Sequence, residues 1–277
     1  MFGEDEYELE LPKPRPVITR AGGKQRLLQH LLPLIKPHTA YVEVFGGSLA
    51  LFLAKQPSRL EVINDIDGDL VKFYMNVKSH QDALLDELDL VFNSRRTFED
   101  YCRQPGLTEI QRAARWFIRN KLSFGGMGTS FAITRVQPLT SRAQRLIAIQ
   151  ALNRRLDKTT IEERPWEYIL KTYDHAQTLF FLDPPYPESA GEQYDGWDEV
   201  TTARFCAAVK KLVGTWILTF KDCDQIRDLM AGYTFRTIDR ARGIANNHGN
   251  KRAARYQEVV ITSELLPRGI KRTGRTA

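Results

Sequence analysis

The sequence predicts an α/β fold, a parallel sheet carrying a helical insertion, and three observations predict it. Short apolar runs closed by turn residues alternate with helical periodicity at both ends of the chain. Strand patterning nearly vanishes between residues 80 and 171, where a 3.6-residue apolar repeat persists. An unbroken apolar run, Thr178 to Leu182, then restores the strand pattern and ends in Asp183-Pro184-Pro185-Tyr186.

Taken in order, residues 1–16 read as a disordered acidic tail, ending in an extended lead-in with Pro12, Pro14 and Pro16. Tyr41 to Phe45 is a strand broken by Gly46 and Gly47, and Ser48 to Lys55 is a helix. Leu60 to Asn64 is the next strand and Asp67 to Lys78 the next helix, which completes a βαβ unit. His80 to Phe92, Thr108 to Lys121 and Thr140 to Lys158 are helices, with Ser123 to Arg135 a glycine-rich loop or hairpin between the last two. After Thr178 to Leu182 come a helix over Thr201 to Val213, a strand over Trp216 to Phe220 and a short helix over Asp224 to Met230. Strands over Tyr233 to Ile238 and Tyr256 to Ser263 close the series around a polar loop, Arg240 to Ala254. The expected organisation is a catalytic body over 17–79 and 172–265, an insertion over 80–171, and a basic disordered tail over 266–277.

A chain of 277 residues with 42% hydrophobic side chains has ample material for a core, so collagen-like, disordered and disulfide-stapled classes are excluded. Cys102, Cys206 and Cys223 form no Cys-x-x-Cys pair, and the five histidines show no metal spacing, so no metal is expected. The N-terminus is acidic where a signal peptide is basic, and no run approaches 18 apolar residues. A cytoplasmic protein without a membrane partner is expected. The net charge of +6 is sorted along the chain. Residues 1–92 carry 10 basic and 14 acidic side chains, net −4; residues 93–171 carry 15 and 7, net +8. Residues 172–235 carry 5 and 10, net −5; residues 236–277 carry 10 and 3, net +7. Two basic surfaces facing a polyanion and two merely solvated faces both satisfy this arithmetic.

Asp183-Pro184-Pro185-Tyr186 falls at the C-terminal end of a buried strand, where ligands collect in open parallel sheets. Its prolines lack N–H groups and keep the chain extended, so the carbonyls of Asp183 and Pro184 stay out of any helical turn. A carboxylate, free carbonyls and an aromatic face suit an exocyclic amine on a planar base; a plain Pro-Pro turn capped by Asp183 is the alternative. Glu43-Val44-Phe45-Gly46-Gly47-Ser48 places small residues where a strand meets a helix, and Asp65, ending the next strand, is spaced to accept ribose hydroxyls. Asp67 and Asp69 read as helix-start charges. Ala21-Gly22-Gly23-Lys24 is a third glycine turn followed by a cation opening a helix, with an ordinary helix N-terminus as the alternative.

In content and order these motifs resemble the Dam-like (D12 class) DNA adenine-N6 methyltransferases, over nearly the whole chain from Thr19 to Ser263. The resemblance implies a Rossmann-like methyltransferase sheet with a helical target-recognition insertion, S-adenosylmethionine as cofactor and double-stranded DNA as partner, with no obligatory protein partner. It assigns Arg20, Ala21, Gly22, Gly23, Lys24, Glu43, Phe45, Gly46, Gly47, Asp65 and Asp183 to the cofactor, and catalysis to Asp183, Pro184, Pro185 and Tyr186. Asp183 and the Pro184 carbonyl accept the two N6–H bonds, and Tyr186 stacks on a flipped adenine. Cytosine-N4 or RNA adenine methylation, and a non-catalytic DNA-binding homologue, are the alternatives.

The sequence departs from the family in places. Arg20 stands where an aromatic residue is common, and Leu49 where a further glycine is usual. Ser123 to Arg135 lacks the Arg, Tyr and Asn of members that read GATC, which implies looser sequence selection. Asn120, Lys121 and Arg135 are expected to contact DNA, as are Arg240, Arg242, Asn247, Lys251 and Arg252 of the second loop. Arg112, Arg115, Arg119, Arg142 and Arg145 are expected to meet phosphates.

Overall fold

Alternating strands and helices occupy most of the chain in the computed structural model, which describes residues 11–20, 22–132, 140–187, 197–241 and 255–265. A 3-10 turn at Lys24–Leu27 leads into α1 (Leu28–Leu31), then β1 (Ala40–Glu43), α2 (Ala50–Ala54), β2 (Leu60–Asn64) and α3 (Gly68–Ser79). The helices α4 (Gln81–Asp89), α5 (Arg95–Arg103), α6 (Glu109–Leu122) and α7 (Arg142–Leu156) follow. After β3 (Thr159–Glu162) come α8 (Trp166–Tyr173), β4 (Thr178–Leu182), α9 (Glu199–Val209), β5 (Thr215–Lys221), α10 (Asp224–Leu229), β6 (Tyr233–Ala241) and β7 (Arg255–Leu265). This is the mixed α/β, Rossmann-like architecture expected. The chain falls into two compact units, residues 1–32 with 46–163 and residues 33–45 with 164–277.

In the first unit, β2 and β3 pair in parallel, Glu61 opposite Thr159 and Asn64 opposite Glu162. Around this pair the helices α3, α4, α6 and α7 pack on one another. Their ends are set locally. Asp67 caps α3 by accepting from the Asp69 and Leu70 N–H groups, Thr108 caps α6, and Ser141 with Gln144 closes a capping box on α7. Asp67 and Asp69 are thus helix-start charges, as expected. Phe73 of α3 stacks on Phe117 of α6 with centroids 5.0 Å apart. Three elements escaped the sequence reading: α5, α8 and β3. Thr159 to Glu162 is too short and too polar to announce a strand alone; parallel pairing with β2 is what orders it.

In the second unit the strand order is β1-β4-β5-β7-β6, the first three parallel and β7 antiparallel to both neighbours. All five residues of β4 are buried, the pattern of a strand with a neighbour at each edge and both faces covered. β6 and β7 run further than expected, to an Ala241–Arg255 pairing. Cross-strand hydrogen bonds hold polar residues extended there, where composition alone reads as loop. The connecting residues 242–254, residues 1–10 of the first predicted tail, the whole of the second and residues 188–196 lie outside the described residues; residues 11–16 are described and form neither helix nor strand.

The first unit buries a charged triad. Glu61 is 5% exposed, receives Lys55 Nζ at 2.5 Å, and binds the Arg155 guanidinium through both carboxylate oxygens. Arg155 also donates to the Phe52 carbonyl, and its guanidinium carbon lies 3.7 Å from the Phe52 ring centroid. Burial pushes the Glu61 carboxyl up, but the bonds from Arg155, Lys55 and the Ser58 N–H outweigh it and hold it below 4.5. A depressed carboxylate contributes stability above its unfolded value that is lost as pH falls through the folded one. Arg155→Met should therefore cost about 3 kcal/mol at neutral pH by urea unfolding, with the gap to wild type closing as pH falls below 4.5.

Candidate functional site

The glycine motifs of the first unit form a hydrogen-bonded turn cluster around Asp65. Gly46 N–H donates to the Asn64 carbonyl at 2.7 Å, and a Cβ on Gly46 would meet that oxygen at 3.1 Å, so the turn lies against the end of β2. Gly47 has φ 48°, donates its N–H to Asp65 Oδ2 at 2.8 Å, and its carbonyl accepts the Tyr74 hydroxyl at 2.7 Å. Leu49 also takes a left-handed φ of 58°, which a side chain resists by about 1 kcal/mol. That side chain is fully buried, and burial of a leucine offsets such strain. The regular helix therefore begins only at Ala50, two residues later than expected.

Asp65 is 7% exposed and accepts from two backbone N–H groups, those of Gly47 and Asp67. Burial raises its carboxyl above 3.8, while Arg20 and the two N–H groups pull it down without cancelling the rise. Arg20 forms a short ion pair with Asp67. Gly23 N–H closes a turn on the Arg20 carbonyl at 3.2 Å, and the buried Lys24 donates to the Gly22 carbonyl at 3.0 Å. Ala21 lies outside the described residues.

In the second unit β1 and β4 are parallel neighbours, with Glu43 opposite Phe181 and the Val44 N–H bonded to the Phe181 carbonyl. The segments leaving their C-terminal ends therefore start side by side, as at a ligand crevice. Glu43 is 2% exposed and accepts from the Tyr41 hydroxyl at 2.7 Å. Phe45 meets Trp197 edge-on, centroids 5.5 Å apart, and Phe205 at 5.6 Å. Asp183 is half-buried, and its Oδ1 accepts from the Thr219 hydroxyl at 2.7 Å; Pro184 beside it is buried. The Tyr186 ring lies 4.9 Å from that of Phe220, and its hydroxyl donates to Glu258 Oε1 at 3.0 Å.

Thr219, Glu258, Tyr74 and Trp197 were missed by the sequence reading. A signal existed for one of them: Thr219 is a polar residue within the apolar run Trp216 to Phe220.

The expected DNA contacts fare differently. Asn120 is 4% exposed, accepts from the Thr19 N–H, and donates to the Thr19 and Gly126 carbonyls. It is an internal clamp, because its amide matches backbone groups already desolvated around it. Arg145, 2% exposed, donates to Asn93 and to the carbonyls of Thr140 and Val91. Arg112, Arg115, Arg119 and Arg142 likewise donate to the carbonyls of Gly106, Gln104, Gly128 and Asp89. Their donors bind helix and loop ends, so fewer of these guanidinium groups are poised for phosphates than the count of +8 suggested, although their charge remains. Lys121 is half-buried beside Arg145, and burial followed by that repulsion lowers its ammonium pKa. Ser123 to Phe131 closes as a turn through the Phe124 N–H to Ser130 carbonyl bond. Arg135, Arg242, Asn247, Lys251 and Arg252 lie outside the described residues. Arg240 pairs its backbone with Tyr256 in β6.

Among the described residues no helix is long and apolar enough to cross a membrane. The sequence profile of the D12 class N6 adenine-specific DNA methyltransferases matches residues 21–244. The chain is 23% identical over 228 residues to the Type II methyltransferase M.CviBI of Paramecium bursaria Chlorella virus NC1A, covering 79% of this chain and 87% of that one. It is 28% identical over 124 residues to the Type II methyltransferase M1.LlaDCHI of Lactococcus lactis subsp. cremoris, covering 41% and 43% respectively.

The Arg20, Asp65 and Asp67 group carries a pH signature. Because the folded Asp65 carboxyl lies above its unfolded value of 3.8, charging it costs stability as pH rises through the folded value, and Arg20 offsets that cost. Arg20→Met is expected to melt like wild type well below pH 3.8. At neutral pH it should be about 1–2 kcal/mol less stable, read by thermal unfolding across pH.

Proposed function

The chain belongs to the D12 class of N6 adenine-specific DNA methyltransferases, and on that premise we propose how its residues divide the work. The reaction is methylation of adenine N6 in DNA, and enzymes of this kind generally use S-adenosylmethionine. The donor set suits that cofactor. Glu43, Asp65 and Asp183 are carboxylates at strand ends, matched to a sulfonium cation and to ribose hydroxyls. The buried indole Nε1 of Trp197, beside Phe45, has no hydrogen-bond partner among the described residues. Asp65 takes the ribose hydroxyls, Glu43 with Phe45, Gly46 and Gly47 lies along the methionine and sugar, and Lys24 with Arg20 and the neighbouring glycines encloses the cofactor. Bound S-adenosylmethionine supplies an electrophilic methyl group on a positively charged sulfur.

The other requirements fall on the chain. Adenine N6 has its lone pair delocalised into the ring and is too weak an acid for a carboxylate to deprotonate beforehand. Asp183 and the Pro184 carbonyl accept its two N–H bonds, favour a pyramidal nitrogen and aim the lone pair. The proton leaves N6 during or after transfer, with the Asp183 carboxylate the nearest base. The Thr219 hydroxyl on Oδ1 fixes that carboxylate's rotamer, so reaching the transition state needs little reorganisation. Because N6 is buried in a duplex, the adenine leaves the stack and lies on Tyr186. The observation that carries this reading is a Thr219-anchored Asp183 at the end of the fully buried β4, next to Pro184, Pro185 and Tyr186.

Residues 80–171 supply the target-recognition insertion in this proposal, and Lys121 is its described candidate for a phosphate contact. Arg135, Arg240, Arg242, Asn247, Lys251 and Arg252 join it on the resemblance alone. The plain Ser123 to Phe131 turn, without forked side chains, goes with relaxed sequence selection.

Asp183→Ala should keep S-adenosylmethionine binding within about tenfold by calorimetry and abolish transfer. Long-read methylation mapping of DNA from expressing cells should show N6-methyladenine with the wild-type protein and none with the variant. Near-normal methylation by the variant would sink the assignment. Lys121→Ala should weaken DNA binding and reduce the slope of log K against log salt by about 1, whereas an unchanged slope would remove Lys121 from the contact set.

A further inference from the structure

Glu258 has no part in the reading above, yet it is the most fully buried carboxylate near the catalytic motif. It lies within β7, between β5 and β6, and is 0% exposed. The residues that follow it along the strand, Val259, Val260 and Ile261, are apolar and buried. A carboxylate withdrawn from water costs several kcal/mol unless it is partnered, and sheet packing alone gains nothing from one there. The register sets Lys221 opposite it on β5, and cross-strand pairing of opposite charges is favourable. A hydrogen bond it receives comes from outside its own strand pair, from the hydroxyl of Tyr186 at 3.0 Å. Tyr186 follows β4, two positions away in the strand order, and its ring rests against Phe220 of β5. The ring is therefore restrained at two separated points, its side by Phe220 and its hydroxyl by Glu258.

A tyrosine that only filled a gap would need one such restraint; a stacking platform needs both. Packing against Phe220 resists rotation of the ring about its own axis, and the hydroxyl bond to Glu258, which lies on that axis, fixes where the ring points, so the platform is set before a base arrives. Pre-ordering of this kind lowers the entropy lost on binding. We infer that Glu258 is a positioning residue, which through the Tyr186 hydroxyl bond holds the Tyr186 ring in the position that receives the flipped adenine. The inference rests on the stacking role proposed for Tyr186.

A double-mutant cycle on the full-length protein tests it, with kcat and KM for DNA and melting temperature measured for each variant. Glu258→Ala and Tyr186→Phe each break the bond from one end, and each should lower kcat roughly tenfold at saturating DNA and S-adenosylmethionine. In the Tyr186→Phe background, Glu258→Ala should cost almost no further kcat, although it still lowers the melting temperature. Glu258→Gln, whose amide oxygen still accepts the bond, should recover most of the kcat lost in Glu258→Ala. Equal kcat losses from Glu258→Ala in both backgrounds would make its role purely structural and overturn the inference. If Glu258→Ala does not fold, unchanged kcat in Tyr186→Phe overturns it equally. Tyr186→Ala separates the two levels: a large loss there with an additive cycle defeats the positioning role alone, whereas no loss defeats the stacking role itself.

Discussion

A carboxylate placed at the end of a buried strand keeps its orientation only if donors are built to hold it, and in each of the two units the candidate acidic residues depend on that constraint. Asp183 has the Thr219 hydroxyl, Glu43 the Tyr41 hydroxyl, and Asp65 the N–H groups of Gly47 and Asp67. Glu258 has the Tyr186 hydroxyl. These donors are neutral, so they fix direction without themselves cancelling the carboxylate's charge. A site for a cation, or for N–H and O–H groups, requires that balance. The buried Glu61 differs: it is held by two cations and serves the packing of its unit.

The same reasoning explains the geometry of the glycine turn. Asp65 can accept from the Gly47 N–H only because the chain folds back on the end of β2, which needs left-handed backbone at Gly47 and again at Leu49. Leu49 tolerates this because its side chain reaches the core. Strain and burial thus meet in one residue, at a position where a glycine would avoid the strain but leave a cavity.

Charge is also divided by partner. Arginines of the helical region that satisfy backbone carbonyls act as ties between helix ends and loops, the use to which a forked, permanently charged donor is suited. Their positive charge still contributes to the surrounding potential, but their geometry is committed. Basic composition in this region therefore describes internal construction as well as attraction for a polyanion.

The sequence by itself determined the fold class, the strands β1, β2, β4 and β5, the helices α3, α4, α6 and α7, and the family. Each is written locally, in apolar periodicity, capping residues or a short motif whose backbone geometry follows from glycine and proline. Asp183, Asp65 and Gly46-Gly47 were legible for that reason. The tertiary structure alone decided β3, which needs β2 beside it, the turn of Asn120 and Arg145 inward, and the pairing of Arg20 with Asp67. It alone joined Thr219 to Asp183, 36 residues apart, and Glu258 to Tyr186, 72 apart. A hydrogen bond between residues distant along the chain leaves no periodic trace, because it is set by which strands become neighbours, and that follows from the packing of the whole sheet.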